Sequence, residues 1–175
     1  SEEKVLQHGG LVFRLGTLFG LGDSYSRIRL DLVVNVLTLK AHKNEKLTVF
    51  GGEQWRPILA VSDAANYLVE AVDSDLSGIY NIKFKNMTIL ELAKRIASVF
   101  PGVTIEETEL AFEDLRNYRV DSGKAEKSFE FKPMKSVEDS VEQMKRLFQE
   151  NRICNTEDDI YYNTRHVEML IGMEG

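Results

Sequence analysis

The segments GTLFG (residues 16–20) and VFGGEQWRP (residues 49–57) decide the fold of this chain. The first follows an apolar, β-favouring run at residues 11–15, which is typical of a buried strand that stops at a glycine. The second is a short strand that leads into two glycines and then into an aromatic residue, an arginine and a proline. Both segments therefore predict strands that end in glycine-rich turns.

Apolar spacing and capping residues predict a series of helices around these segments. The stretch from about residue 29 to 42 is apolar on most sides, which indicates a buried helix. Ser62-Asp63 can cap the next helix, whose apolar stripe consists of Ala65, Leu68, Val69 and Val72. A capping box of Thr88 with Glu91 predicts the start of a third helix, and Ser136 with Asp139 opens a final one.

Short strands are predicted between the helices, at residues 46–50, 57–61, 78–82 and 103–108. Alternation of strands with helices indicates the α/β class. Only two or three of the strands have the length and composition of buried strands, which is fewer than a doubly wound sheet needs. The residues alone therefore predict an incomplete α/β layer.

Composition narrows the class of protein further. The 175 residues are enough for one domain, and the net charge is −6, with acidic and basic residues interleaved. No basic face indicates nucleic-acid binding, and no apolar run approaches the roughly 20 residues of a membrane span. The lone Cys154 favours a reducing compartment, and the three histidines lack the spacing of a metal site. We expect a cytoplasmic protein without a metal, nucleic-acid or membrane partner.

The two opening segments resemble the carboxyl-terminal part of the extended short-chain dehydrogenases/reductases, specifically the NAD-dependent sugar-nucleotide epimerases and dehydratases. Further matches occur in the same order at residues 61–65 (VSDAA), 78–82 (GIYNI) and 114–121 (DLRNYRVD). The resemblance covers residues 1–150 and leaves 151–175 as a carboxyl-terminal tail. It implies a substrate-binding lobe with the last strands of a Rossmann-type sheet, incomplete without an amino-terminal half.

Two motifs of that family have no counterpart in the chain. One is the glycine-rich turn that seats the cofactor pyrophosphate, and the other is the Tyr-x-x-x-Lys pair that supplies the acid/base. Ser1-Glu2 resembles the residues that follow this lysine, so we expect the catalytic residues upstream of Ser1. The resemblance implies a parent enzyme that uses NAD or NADP, binds a nucleotide-diphosphate sugar and forms a homodimer. This chain alone is expected to be inactive.

The resemblance also implies a set of substrate-binding residues. Arg56 is the principal candidate, because a guanidinium can engage a diphosphate through two hydrogen bonds. A surface ion pair is the alternative role for Arg56, and pairing with a neighbouring carboxylate is the alternative for Arg116. Thr17 either contacts the sugar or only ends its strand. The full set is Thr17, Asp31, Leu32, Thr48, Phe50, Arg56, Asp114, Arg116 and Tyr118.

Other members of this set also have structural alternatives. Asp31 either accepts a sugar hydroxyl or caps a helix. Thr48 and Phe50 flank the strand along which relatives bind the base, although Phe50 fits a core position equally well. Asp114 and Tyr118 suit a ribose or phosphate edge, with a turn cap and a half-buried phenol as the alternatives.

Two other functions stay open at this stage. The first is a reductase of the same superfamily that acts on a non-nucleotide carbonyl compound. The second is a non-catalytic binding protein that has kept this lobe of the fold. Ala60 and Ala111 stand where relatives often have a histidine and an arginine, so the sequence does not define which sugar nucleotide is bound.

Overall fold

A computed structural model describes residues 1–22, 27–108 and 116–173 of the chain. Helices and strands are interspersed along these residues. The helices are α1 (Glu2–Gln7), α2 (Val33–His42), α3 (Val61–Val72), α4 (Ile89–Val99), α5 (Gly123–Ser128), α6 (Val137–Gln149) and α7 (Asn163–Met173). The strands are β1 (Leu11–Leu15), β2 (Thr17–Phe19), β3 (Leu47–Phe50), β4 (Trp55–Ala60), β5 (Gly78–Ile82), β6 (Lys85–Thr88) and β7 (Ile105–Thr108). The predicted α/β class is confirmed.

The described strands form three small sheets rather than one large sheet. β1 pairs in parallel with β5, and β3 pairs in parallel with β7. β4 lies between a parallel neighbour, β2, and an antiparallel neighbour, β6. No sheet among the described residues has more than three strands, as expected for an incomplete layer.

Gly16 carries the chain from the first sheet into the second. Its N–H donates to the carbonyl of Ile82 at 2.8 Å, where the pairing of β1 with β5 ends. Thr17 then starts β2 directly opposite Ile58 of β4. A Cβ atom on residue 16 would lie 3.1 Å from the carbonyl oxygen of Pro57, a backbone atom with little room to move. Glycine therefore permits the close approach of the two strands.

The helices divide the core into two main clusters. Helices α2, α4 and α6 pack together over β2, β3 and β4, and their buried side chains include Leu37, Ile96 and Val141. The other cluster lies between α3, α5 and the β1–β5 pair and is aromatic. Its centre is Tyr67, whose ring meets Phe129 edge-on at 5.3 Å between ring centroids. Edge-to-face packing is a favoured aromatic geometry.

Two of the three predicted capping motifs begin helices in the structure. The third prediction was wrong: α3 already starts at Val61, so Ser62 lies inside the helix, and the Asp63 carboxylate bonds the N–H groups of Met134 and Lys135 instead. Thr88 accepts the backbone N–H of Glu91 through its hydroxyl at 3.1 Å, at the start of α4. Ser136 and Asp139 form a reciprocal capping box at the start of α6. No helix in the described part of the chain has the length and apolar character needed to cross a membrane.

The apolar stripe predicted for α3 faces solvent, which corrects the sequence interpretation. Leu68, Val69 and Val72 are 51%, 68% and 82% exposed. The helix packs instead through the neighbouring stripe that contains Ala64 and Tyr67. Both stripes repeat at helical spacing, so periodicity alone could not choose between them, and the aromatic ring of Tyr67 fills the core.

Substitution of Gly16 by alanine should lower the free energy of unfolding by about 1–3 kcal/mol, because the added methyl group must displace the backbone of Pro57. Urea denaturation would measure the change. Gly172→Ala is the matched control, since a Cβ there meets no atom within 4 Å and the residue lies in helix α7. An equal loss in both variants would contradict the role of the close approach at Gly16.

Candidate functional site

Two adjoining cavities flank helix α2, and most of the predicted site residues line them. The β3 cavity has a volume of about 270 Å³ and is lined by Val33, Val36, Leu37, Lys40, Thr48, Phe50, Gln54, Arg56 and Ile89. The β2 cavity has a volume of about 500 Å³ and is lined by Leu15, Gly16, Thr17, Leu18, Gly20, Gly22, Arg27, Ile28, Arg29, Leu32, Asn35, Val61, Arg116 and Tyr118. Helix α2 contributes to both walls, because Val33 lines the β3 cavity and Asn35 lines the β2 cavity.

The walls of the β3 cavity are mainly apolar. Val33 and Val36 of α2 lie on one side, and Phe50 at the end of β3 lies on another. Polar groups enter from the rim through Lys40, Thr48 and Gln54. An apolar slot with a few polar groups at its edge suits a flat, partly polar ring system.

Arg56 joins the two cavities through its guanidinium group. The residue is only 6% exposed, and it lines the β3 cavity from strand β4. It donates hydrogen bonds to the carbonyl of Trp55 at 3.0 Å, to the side-chain oxygen of Gln54 at 3.2 Å and to the carbonyl of Arg116. Arg56 lines the β3 cavity and Arg116 lines the β2 cavity, so the hydrogen bond between them fixes the position of one cavity wall relative to the other.

Residues 116–120, here called the strap, run alongside β4 without forming a regular strand. The backbone N–H of Trp55 donates to the side chain of Asn117 at 3.0 Å. The guanidinium of Arg119 lies 3.7 Å from the centroid of the Trp55 ring, a cation–π contact. Asn86 of β6 makes two hydrogen bonds of 3.0 Å to the N–H and carbonyl of Val120. These contacts hold Arg116 and Tyr118 at the β2 cavity.

A buried amide fixes the glycine turn that borders the β2 cavity. Asn35 of α2 is 1% exposed and accepts the N–H of Gly20 at 2.9 Å. The same side chain donates to the carbonyls of Gly20 at 3.3 Å and of Arg29 at 2.8 Å. Gly20 has φ of 86°, a left-handed conformation that glycine adopts without strain. Asn35 therefore sets the shape of this turn.

Asp31 lines neither cavity, although the sequence placed it in the substrate set. Its carboxylate makes a two-point hydrogen bond with Arg29 at 2.9 and 3.0 Å and accepts the N–H of Asn163 at 2.8 Å. Burial raises the pKa of this carboxyl, but the hydrogen bonds from Arg29 and Asn163 outweigh it, so the pKa lies below its usual value. Asn163 is the first residue of α7, so Asp31 anchors that helix.

The remaining predicted residues fall into two groups. Thr48, Phe50 and Arg56 line the β3 cavity, and Thr17, Leu32, Arg116 and Tyr118 line the β2 cavity. Asp114 lies outside the described residues.

The sequence interpretation missed several residues that line the cavities. Lys40 and Gln54 lie at the β3 cavity, and Asn35 lies at the β2 cavity. The spacing of Lys40, four residues after Val36 and seven after Val33, could have indicated that the three share one helix face. No local pattern marks Asn35, whose partners Gly20 and Arg29 lie 15 and 6 residues earlier in the chain, outside helix α2.

In sequence, the chain is similar to two enzymes named UDP-glucuronic acid decarboxylase 1. It is 29% identical to the protein from Danio rerio over 146 residues, which cover 82% of this chain and 35% of that protein. It is 30% identical to the protein from Arabidopsis thaliana over 129 residues, which cover 72% of this chain and 29% of that protein. The chain thus spans about a third of the length of these curated relatives. No protein-family model matches it.

Solved structures share the fold of this chain. The UDP-glucuronic acid 4-epimerase of Bacillus cereus, in complex with UDP-glucuronic acid and NAD, has a TM-score of 0.66 at 20% identity over 81% of this chain and 46% of that chain. The dTDP-glucose 4,6-dehydratase of Bacillus anthracis, in complex with NAD, has a TM-score of 0.66 at 21% identity over 85% of this chain and 47% of that chain. The resemblance to the NAD-dependent epimerases and dehydratases is confirmed. The fold matches the carboxyl-terminal portion of these enzymes, about half of their length.

Substitution of Asn35 by leucine should lower the free energy of unfolding by about 2–3 kcal/mol, because the N–H of Gly20 and two carbonyls lose their buried partner. Thr38→Val is the matched control on the same helix. Thr38 is also fully buried, but within the described part of the chain its hydroxyl bonds only the carbonyl of Val34 in the same helix, so the loss should be about 1 kcal/mol or less. Equal losses in chemical denaturation would argue against a special role for Asn35.

Proposed function

We propose that this chain is the substrate-binding portion of an NAD(P)-dependent epimerase or dehydratase that acts on a nucleotide-diphosphate sugar. The observation that carries the proposal is the pair of adjoining cavities joined by the hydrogen bond from Arg56 to Arg116. One cavity is an apolar slot, and the other is larger and lined by arginines. A nucleotide sugar has the same division, with a flat base at one end and a charged diphosphate and a sugar at the other.

The β3 cavity is the proposed base site. Phe50 and the valines of α2 offer apolar surface to the faces of a pyrimidine ring. Thr48, Gln54 and Lys40 offer hydrogen-bonding groups at its edge, and the volume of about 270 Å³ fits a single ring with part of a ribose. Arg56, beneath this slot, would face the first phosphate.

The β2 cavity is the proposed site for the diphosphate and sugar. Leu32, the residue before helix α2, lines this cavity, and no side chain among the described residues caps the free N–H groups at the start of that helix. A helix amino terminus carries a partial positive charge and attracts phosphate. Arg116 adds a full positive charge on the same cavity. Thr17 and Tyr118 supply hydroxyl groups for the sugar.

The proposed role of this chain is to bind and orient the substrate. A dinucleotide pyrophosphate is normally held by a glycine turn that leads from a strand directly into a helix. Among the described residues, the glycines at 51 and 52 join two strands, and those at 9 and 10 lead from a helix into a strand. The glycines at 20 and 22 follow β2, but the next described helix begins only at Val33, so this turn does not lead directly into a helix. These turns do not fit a dinucleotide, so we assign NAD or NADP, and the acid/base residues, to another part of the parent enzyme.

Several further properties belong to the same proposal. The names of the curated relatives make UDP-glucuronic acid the first nucleotide sugar to test. We infer a homodimeric, cytoplasmic parent, which light scattering and cell fractionation would test. We divide the chain into the lobe at 1–150 and a tail at 151–175. The tail packs onto the lobe through the bond from Leu30 N–H to the Tyr161 carbonyl at 2.9 Å.

Substitution of Arg116 by glutamine in the full-length protein should weaken UDP-glucuronic acid binding by about 1.5–3 kcal/mol, because a charged donor to phosphate is lost. Calorimetry would measure the affinity. Lys127→Gln on α5 is the matched control, since this exposed lysine lines none of the cavities described above. Unchanged affinity in Arg116→Gln would remove this residue from the phosphate site.

Substitution of Val33 by phenylalanine should abolish nucleotide binding by filling the β3 cavity from the side of α2. The matched control is Val72→Phe, which adds the same atoms to a side chain that is 82% exposed on α3. Thermal unfolding of both variants would show that the fold is retained. If Val33→Phe still binds UDP with wild-type affinity, the base site lies elsewhere.

Binding of free carbonyl compounds instead of UDP-sugars would favour the reductase alternative.

A further inference from the structure

A third cavity, here called the α6 cavity, lies on the other side of the glycine turn at residues 20–22. Its volume is about 470 Å³, and it is lined by Phe19, Gly20, Leu21, Gly22, Ala60, Val61, Ser62, Lys135, Ser140, Gln143, Arg146, Leu147, Glu150 and Arg152. It shares Gly20, Gly22 and Val61 with the β2 cavity, but most of its lining comes from α6 and the residues on either side of that helix. The site proposed for the nucleotide sugar does not use it.

The lining of the α6 cavity is cationic in a chain whose net charge is −6. Lys135, Arg146 and Arg152 lie on its wall, together with the single carboxylate of Glu150. None of the three cationic side chains forms an ion pair within the described residues. Three cations with one carboxylate attract an anion to this cavity.

A serine hydroxyl that makes no hydrogen bond within the described residues faces the same space. Ser140 of α6 is 2% exposed and lines the cavity. Its backbone N–H bonds the Ser136 carbonyl, but within the described residues its Oγ has no hydrogen-bond partner. A Cβ on Gly20 would lie 3.0 Å from this Oγ, so the glycine leaves the hydroxyl uncovered. Ser140 Oγ is not among the fully enclosed polar atoms that lack a partner, so it opens onto the cavity and is available to donate a hydrogen bond to a ligand.

The amino terminus of helix α3 also borders the cavity, although the buried carboxylate of Asp63 in its first turn offsets part of its positive potential. Its first residues, Val61 and Ser62, line the cavity, and no side chain caps its amino terminus among the described residues. The buried carboxylate of Asp63 accepts the N–H groups of Met134 and Lys135 at 3.0 and 2.9 Å. This contact fixes Lys135 beside the helix terminus. Free helix N–H groups next to cations favour a phosphate.

We propose that the α6 cavity binds a small molecule through a phosphate group. Arg146 and Arg152 would hold phosphate oxygens through paired N–H groups, and Lys135 would add a point charge. Ser140 would donate its free hydroxyl to the same group. A phosphate fits better than a single carboxylate because it offers three oxygen acceptors to donors that come from several directions.

Calorimetry with inorganic pyrophosphate on the full-length protein tests this proposal. We expect saturable binding that is weakened about tenfold by Ser140→Ala, which loses one hydrogen bond to a charged group. The double variant R146Q/R152Q should bind pyrophosphate at least about a hundredfold more weakly than the wild type, since two charged donors are removed. The control K4Q/K127Q removes the same number of charges from exposed lysines outside the cavity and should bind as the wild type does.

Several outcomes would overturn the α6 phosphate site. These are an absence of saturable binding, equal affinities of the wild type and R146Q/R152Q, or tighter binding of citrate than of pyrophosphate. Displacement of pyrophosphate by UDP-glucuronic acid in a one-to-one manner would also overturn it, because both would then share one site. The measurement is pyrophosphate binding, so its result is informative even if the protein binds no nucleotide sugar. The proposal of the α6 phosphate site and the proposal of the nucleotide-sugar site can therefore fail separately.

Discussion

The close approach of Gly16 to Pro57 is the constraint on which the described structure depends. A continuous stretch of chain belongs to two sheets, as β1 beside β5 and then as β2 beside β4. The change of partner takes place within one residue, and a Cβ there would lie 3.1 Å from the carbonyl oxygen of Pro57. The aromatic cluster around Tyr67 and the cluster formed by α2, α4 and α6 are joined at this point.

The crossing also places the three cavities. β2 ends at Phe19, and the following glycine turn separates the β2 cavity from the α6 cavity. Asn35 holds that turn from α2, and α2 in turn forms one wall of the β3 cavity. Arg56 then ties β4 to the strap. Buried amide and guanidinium groups hold these walls because leaving their partners unsatisfied would be costly in free energy. The cavities are therefore part of the fold rather than an addition to its surface.

The sequence predicted most of the elements and part of the site. The capping residues Thr88 and Ser136 marked helix starts correctly because capping is a local hydrogen bond between residues three apart. The buried face predicted for α3 was wrong because that helix has two apolar stripes. Only its packing against the sheet shows that the stripe with Tyr67 is the buried one. The place of Asp31 was also decided at long range, since its partner Asn163 is 132 residues away in sequence.

The sequence by itself determined the α/β class, the glycine-bounded strands and the resemblance to NAD-dependent epimerases and dehydratases. These features follow from local backbone preferences and from the order of motifs along the chain. The tertiary structure alone decided which side chains share a cavity, as Arg56 and Arg116 show by their contact across 60 residues. It also decided that Ser140 lies beside Gly20, with a hydroxyl that has no hydrogen-bond partner among the described residues. Burial and partner choice depend on distant parts of the chain, so no local pattern could encode them.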